Sequence, residues 1–195
     1  MTNDVIYEAV VTTLSPTGQP HVAPMGVRYV GHGADATVVL MPYRPSRTLE
    51  HISATGHAVL NLVTDTRVFA GCVTGRRDWP TVAAEQIAGV RLACAQSHVE
   101  LRLLSRHDDA LRSVLQMARV HEAQHAPFLG LNRAQAAVVE GAVLVSRLDR
   151  LPADKVDREM AYLQIAIDKT AAPEEHEAWG WLQDAIARHR AQTPP

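Results

Sequence analysis

A hydroxyl–guanidinium–hydroxyl triplet, Ser46-Arg47-Thr48, stands where an extended segment gives way to a helix, and that placement suits an anion. Pro45 halts the segment before it, and Thr48-Leu49-Glu50-His51-Ile52-Ser53-Ala54 reads as a short helix. Leu49 and Ile52 are spaced for one buried face, and Gly56 sits where a left-handed C-cap belongs. A helix start presents unbonded N–H groups and partial positive charge, so it favours a dianion such as a phosphate. Arg47 can grip phosphate oxygens bidentately, and the two hydroxyls add directed donors. The same residues also suit a plain helix start, with Ser46 as its N-cap and Arg47 solvated.

A second box, His21-Val22-Ala23-Pro24-Met25-Gly26-Val27, lies upstream, and Pro42-Tyr43-Arg44 links the two. Pro24 cannot donate to a sheet ladder and belongs at an edge or a bulge. Gly26 lets another group approach the backbone closely. Met25 and Gly26 together can form a wall for a flat ring such as an isoalloxazine, with backbone N–H groups aimed at its polar edge. The alternative is an irregular strand whose Met25 packs into the core.

A third constellation competes. His121-Glu122-Ala123-Gln124-His125 is a literal HExxH, which on a helix sets two imidazoles on one face for zinc and leaves the glutamate to polarise water. Pro127 and Gly130 would cut that helix short. Phe128 and Leu131 stand where the extended zinc-protease motif needs a Gly and a third His. With 10 histidines in the chain, a bare pattern is weak, although Glu140 offers a possible third ligand. No metal ligand is therefore assigned, and a zinc hydrolase is kept only as an alternative. The chain has no GxGxxG, P-loop or GxSxG. Arg76 and Arg77 beside Trp79 suit either an anionic aromatic substrate or a solvated loop.

The order Tyr7-Glu8-Ala9-Val10-Val11-Thr12-Thr13, Ala23-Pro24-Met25-Gly26-Val27, Ser46-Arg47-Thr48, Thr55-Gly56 and Val59-Leu60-Asn61-Leu62 resembles the FMN-binding split-barrel flavoproteins. That superfamily includes flavin reductases and pyridoxamine-phosphate oxidases. Within it the chain is most similar to a family of uncharacterised flavin-binding proteins, domain of unknown function 447. Its members share the APMG box, an S-x-T box and an Asn-Arg-Ala helix start, here Leu131-Asn132-Arg133-Ala134. The resemblance implies a six-stranded barrel, a homodimer, and FMN in a cleft at the dimer interface. It assigns Ser46, Arg47 and Thr48 to the phosphate and Pro24, Met25 and Gly26 to the ring. Val27, Tyr43, Asn61, Asn132 and Arg133 are further contacts on the same ground. Asn132 also reads as an ordinary N-cap. The segment Leu62-Val63-Thr64-Asp65-Thr66 departs from the pattern, lacking a second acidic residue after Asp65.

The resemblance implies no substrate. The expected activity is FMN-dependent reduction of a small molecule, with a nicotinamide as electron donor and a reduced pterin among the candidate substrates. A flavin carrier without its own catalysis is the alternative. No acid or base stands out, so no catalytic residue is named.

The elements that must position these boxes follow from periodicity. Ile6 to Leu14, Val22 to Val30, Thr37 to Met41 and Ala58 to Val63 read as strands, with turns at Ser15-Pro16-Thr17-Gly18 and Gly31-His32-Gly33. Thr66 to Gly75 reads as a short helix. Val99, Leu101 and Leu103 alternate with Glu100 and Arg102 as in a half-buried strand, returning through Asp108-Asp109 to a partner over Ser113 to Val120. Arg133 to Leu148 and segments starting at Pro152 and Pro173 read as helices, a tail that either closes over a cofactor cleft or simply caps the fold. The fold class is α+β, mainly antiparallel β: a split-barrel flavin-binding domain over residues 1–150 and a helical extension over 151–195.

Composition bounds the rest. The chain has 195 residues, 47% of them apolar, enough for a real core. A net charge of −2 argues against nucleic acid or an acidic membrane as partner. Cys72 and Cys94 are far apart, without a CxxC, and no apolar run reaches membrane-spanning length, so a reduced cytoplasmic setting is expected.

Overall fold

Alternate residues of a strand face opposite ways, and here several strands are buried on both faces. In the first strand Ala9 and Val11 point one way, Val10 and Thr12 the other, and all four are buried. The computed structural model describes residues 5–31, 33–109 and 111–192. Its elements are β1 (Tyr7–Leu14), β2 (Pro20–Val30), β3 (Thr37–Leu40), α1 (Arg47–Thr55), β4 (His57–Leu62), α2 (Arg67–Val73), β5 (Thr81–Ala83) and β6 (Val90–Leu92). They continue with β7 (Ser97–Asp108), β8 (Ser113–Gln124), α3 (Arg133–Val145), α4 (Ala153–Thr170) and α5 (Pro173–Gln192). His32, in the turn expected after β2, lies outside the described residues.

Six strands close an antiparallel barrel in the order β1-β2-β3-β8-β7-β4. Val11, Val27, Val38, Leu40, Leu60, Leu101, Leu115 and Met117 fill its interior, and α1 adds Leu49 and Ile52 to the same core. β3 is only four residues long. It pairs with Val27–Val30 of β2 and, through Val38–Leu40, with Leu115–Met117 of β8. Beyond that reach, Ala23 to Gly26 of β2 pair with β1 alone, and β8 from Ala118 onward pairs with β7 alone.

Residues 79–96 cover a second buried face of the strands that periodicity did not foretell. This excursion carries the β5–β6 hairpin, and β6 packs on the outer face of β1 and β4. Val10, Thr12, Val59, Asn61, His98 and Glu100 face away from the barrel interior, yet each is nearly or fully buried.

The chain divides into two compact units, residues 1–63 with 79–128 and residues 64–78 with 129–195. Within the second unit α3 packs against α4 and α5, and α2 joins them from within the barrel sequence. In the helical unit a Cβ on Gly141 would lie 2.9 Å from a Trp179 ring carbon and 3.0 Å from a Leu182 methyl. Gly141 therefore sets how closely α3 and α5 approach. Gly141→Val should cost about 2 kcal/mol through overpacking, read as a lower urea midpoint. Among the described residues no helix is long and apolar enough to cross a membrane.

Candidate cofactor site

The expected phosphate helix starts where its sequence says. Ser46 is extended, at φ −154° and ψ 145°, and its Oγ accepts the Leu49 N–H at 3.3 Å. Its carbonyl takes the Glu50 N–H at 3.1 Å. Among the described residues, the N–H groups of Arg47 and Thr48 keep no such partner. Gly56 closes the helix at φ 74°, donating to the Ile52 carbonyl at 2.8 Å. Arg47 is exposed and Thr48 buried, so one side chain is free to reach a ligand while the other anchors the turn.

The Ala23-Pro24-Met25-Gly26 box lies on the stretch of β2 with a ladder on one side only. Pro24 opposes Val10 there, where its missing N–H leaves no second ladder short of a donor. Met25 is partly buried against the barrel core, and Val27 is wholly within it. A Cβ on Gly26 would lie 2.5 Å from Ile6 Cγ2, so the bare backbone gives room to the Ile6 side chain.

Tyr43 and Asn61 are committed differently. Tyr43 bridges Arg112, whose Nη2 donates to the phenol oxygen at 2.6 Å while its guanidinium carbon sits 4.4 Å from the ring centroid. Asn61 is fully buried. Its Nδ2 donates to the Val10 carbonyl at 3.1 Å, Thr12 Oγ1 at 3.1 Å and the Val59 carbonyl at 3.2 Å. Its Oδ1 accepts the Leu92 N–H at 2.7 Å. Thr12 Oγ1 in turn donates to the Val90 carbonyl. Asn61 is thus the amide that fastens β6 to the barrel wall.

Glu100 fastens the other end of the same excursion, and sequence reasoning missed it. Its Oε1 accepts the Glu85 N–H at 2.5 Å, and its Oε2 accepts those of Gln86 at 2.8 Å and Ile87 at 2.9 Å. His98 Nε2 lies 3.3 Å from Oε1. Burial alone would push this carboxyl up, but the three backbone donors and the imidazole outweigh it and hold it below the usual carboxylate range. His98 Nδ1 meets His125 Nε2 at 2.9 Å, with the two rings stacked.

The HExxH residues do not form a helix. β8 runs on through Gln124, past the expected end at Val120. Adjacent strand residues face opposite ways, so Glu122 leaves the side that His121 shares with His98 and pairs with Arg119 instead. A glutamate turned away from both imidazoles cannot polarise water between them, and the zinc hydrolase falls on that geometry.

Asn132 and Arg133 belong to the helical unit. Asn132 caps α3, its Oδ1 accepting from Ala134 N–H at 2.7 Å and Gln135 N–H at 3.3 Å, and its Nδ2 donates to the Thr170 carbonyl at 3.0 Å. Arg133 is exposed at the helix start. Arg76 of the expected loop lies over the Trp181 ring at 4.4 Å, and Asp65 pairs with Arg67 at 2.8 Å. The structure therefore brings the Pro24–Val27, Tyr43, Ser46–Thr48 and Asn61 residues into one unit and leaves Asn132 and Arg133 in the other.

Residues 7–126 match the family model described as the N-terminal domain of a protein of unknown function, DUF447, and residues 132–184 match a second model of that family. The chain belongs to the DUF447 family. The barrel and the C-terminal helices of this DUF447 chain both recur in an FMN-bound DUF447 protein from Methanosarcina mazei, at TM-score 0.78 and 17% identity over 94% of this chain and 96% of that one. The 2-nitrobenzoate 2-nitroreductase of Pseudomonas fluorescens is similar at TM-score 0.54 and 23% identity, over 64% of this chain and 68% of that one. Flavoredoxin from Methanosarcina acetivorans gives TM-score 0.55 and 12% identity, over 67% and 76%. At these identities the likeness is one of fold. No curated protein matches the sequence.

Proposed function

We propose that this DUF447 chain binds FMN in its barrel unit and acts as an FMN-dependent oxidoreductase on a small molecule. The α1 start carries the reading. Two backbone N–H groups, a capping hydroxyl and an exposed arginine lie there within three residues, a donor set that fits a phosphate dianion. Ala23 to Gly26, laddered on one side only, fits a flat ring along the sheet edge. The FMN carried by the Methanosarcina mazei relative supports the same choice.

FMN, when bound, supplies two-electron redox chemistry. The chain's residues do the rest. Arg47 and the N–H groups of Arg47 and Thr48 take the phosphate charge, Ser46 holds the helix start in register, and Met25 and Gly26 line the ring. A homodimer belongs to the same reading, and the exposed Ile6 and Tyr7 beside Gly26 and Tyr29 give it an apolar surface.

The test is the visible spectrum of the purified protein after adding FMN and dialysing. Retained flavin bands are expected, and Arg47→Ala should weaken FMN binding by about 10- to 100-fold through loss of a charge-assisted contact. A protein that retains no flavin overturns the reading. Turnover with a reduced nicotinamide separates an enzyme from a flavin carrier.

A further inference from the structure

Three side chains of metal-ligating types, from three separate stretches, meet on the outer face of the barrel. Glu85 comes from the excursion, His98 from β7 and His121 from β8, and one ligand atom of each lies within 4.8 Å of the other two. His121 Nε2 is buried and makes no hydrogen bond among the described residues. A Glu85 carboxylate oxygen lies 3.3 Å from it. Two ligands at ~2.1 Å from a tetrahedral ion stand ~3.4 Å apart, so this pair already has the spacing of two bonds to one metal.

We propose that Glu85, His98 and His121 form a binding site for a divalent first-row metal ion of the zinc class, which pins the excursion to β7 and β8. Two imidazoles and a carboxylate are a ligand set such ions take. Binding through either His98 nitrogen leaves the other with its present partner. That partner is the Glu100 carboxylate on one side or His125 on the other. Such a contact fixes a ligating imidazole's tautomer and its orientation. The excursion is already held at Glu100 and Asn61, so the ion adds a third fastening through the Glu85 side chain.

The site also explains why the HExxH pattern occurs without its usual companions. His121 serves, but its partners come from elsewhere in the chain, and Glu122 takes no part because it faces away. The proposal is independent of FMN.

The test is titration of chelator-treated full-length protein with Co2+, followed by displacement with Zn2+. One saturating equivalent per chain is expected, with d–d absorption of nitrogen and oxygen ligation. Glu85→Gln, a change at a half-exposed side chain, and His121→Ala should each weaken binding at least ~10-fold, while the exposed His176→Ala leaves it unchanged. If His121→Ala fails to fold, Glu85→Gln decides. Absence of saturable binding, undiminished affinity in Glu85→Gln, or a thiolate charge-transfer band from Cys94 would overturn the proposal.

Discussion

Glu100→Ala is expected to destabilise the barrel unit by about 4 kcal/mol and to loosen the excursion before the barrel itself opens. The side chain has no exposed surface, and its two oxygens accept three consecutive backbone N–H groups. Alanine leaves all three donors without their acceptor and His98 without its carboxylate. A hydrogen bond to a charged group contributes ~1.5–3 kcal/mol, but neighbouring ones do not add, and water entering the gap recovers part of the loss. Glu100→Gln should cost about half as much, because one oxygen still accepts while the new amide N–H groups face the other donors. Urea unfolding gives the magnitude. Amide exchange at Glu85, Gln86 and Ile87 gives the location, and should quicken by more than the global loss requires. An alanine variant with an unchanged midpoint and unchanged exchange would show that the carboxylate does not hold the excursion.

Most strands that build the barrel could be read to within a residue or two, while the end of β8 and the surface that covers them could not. β1, β3 and β4 fall within a residue or two of expectation because contiguous apolar and β-branched runs lie between unambiguous turns. The α1 start was equally legible, since Pro45, Ser46 and Gly56 punctuate both ends. Glu100 was not. Between Val99 and Leu101 it reads as the solvent side of a half-buried strand, and only the excursion makes that side an interior. The excursion leaves little signal, because β5 and β6 are three residues each and residues 84–89 have no regular structure. The HExxH spacing misled for a geometric reason. Residues four apart share a face on a helix and also on a strand, so the spacing of His121 and His125 fits both. The intervening residues separate the two cases, since Glu122 stays near that face on a helix and reverses on a strand. Asn61 stood out as an amide in an apolar run, but that its partners are the barrel's own backbone depends on the register of β1, β4 and β6.

That register makes Asn61 the second large effect, with a signature opposite to that of Arg47. Asn61→Leu should cost about 3 kcal/mol. The Leu92 N–H loses its acceptor, and the Val10 and Val59 carbonyls lose a shared donor, all in a place where no water reaches the side chain. The apolar replacement recovers little, since the branched end must lie among groups that want hydrogen bonds. Asn61→Asp should be no milder, because it keeps an acceptor for Leu92 but buries a charge against two carbonyls. In protein that remains folded, either variant should bind FMN with nearly unchanged affinity, as Asn61 spends its polar atoms inside the barrel unit. Arg47→Ala should do the reverse, releasing FMN while the unfolding free energy of the flavin-free protein, read from urea titration, stays within about 0.5 kcal/mol, as for an exposed side chain. Paired unfolding and flavin-binding measurements on the two variants separate the residue that builds the wall from the residue proposed to hold the ligand. Loss of FMN affinity in folded Asn61→Leu would place Asn61 at the ligand and undo this assignment.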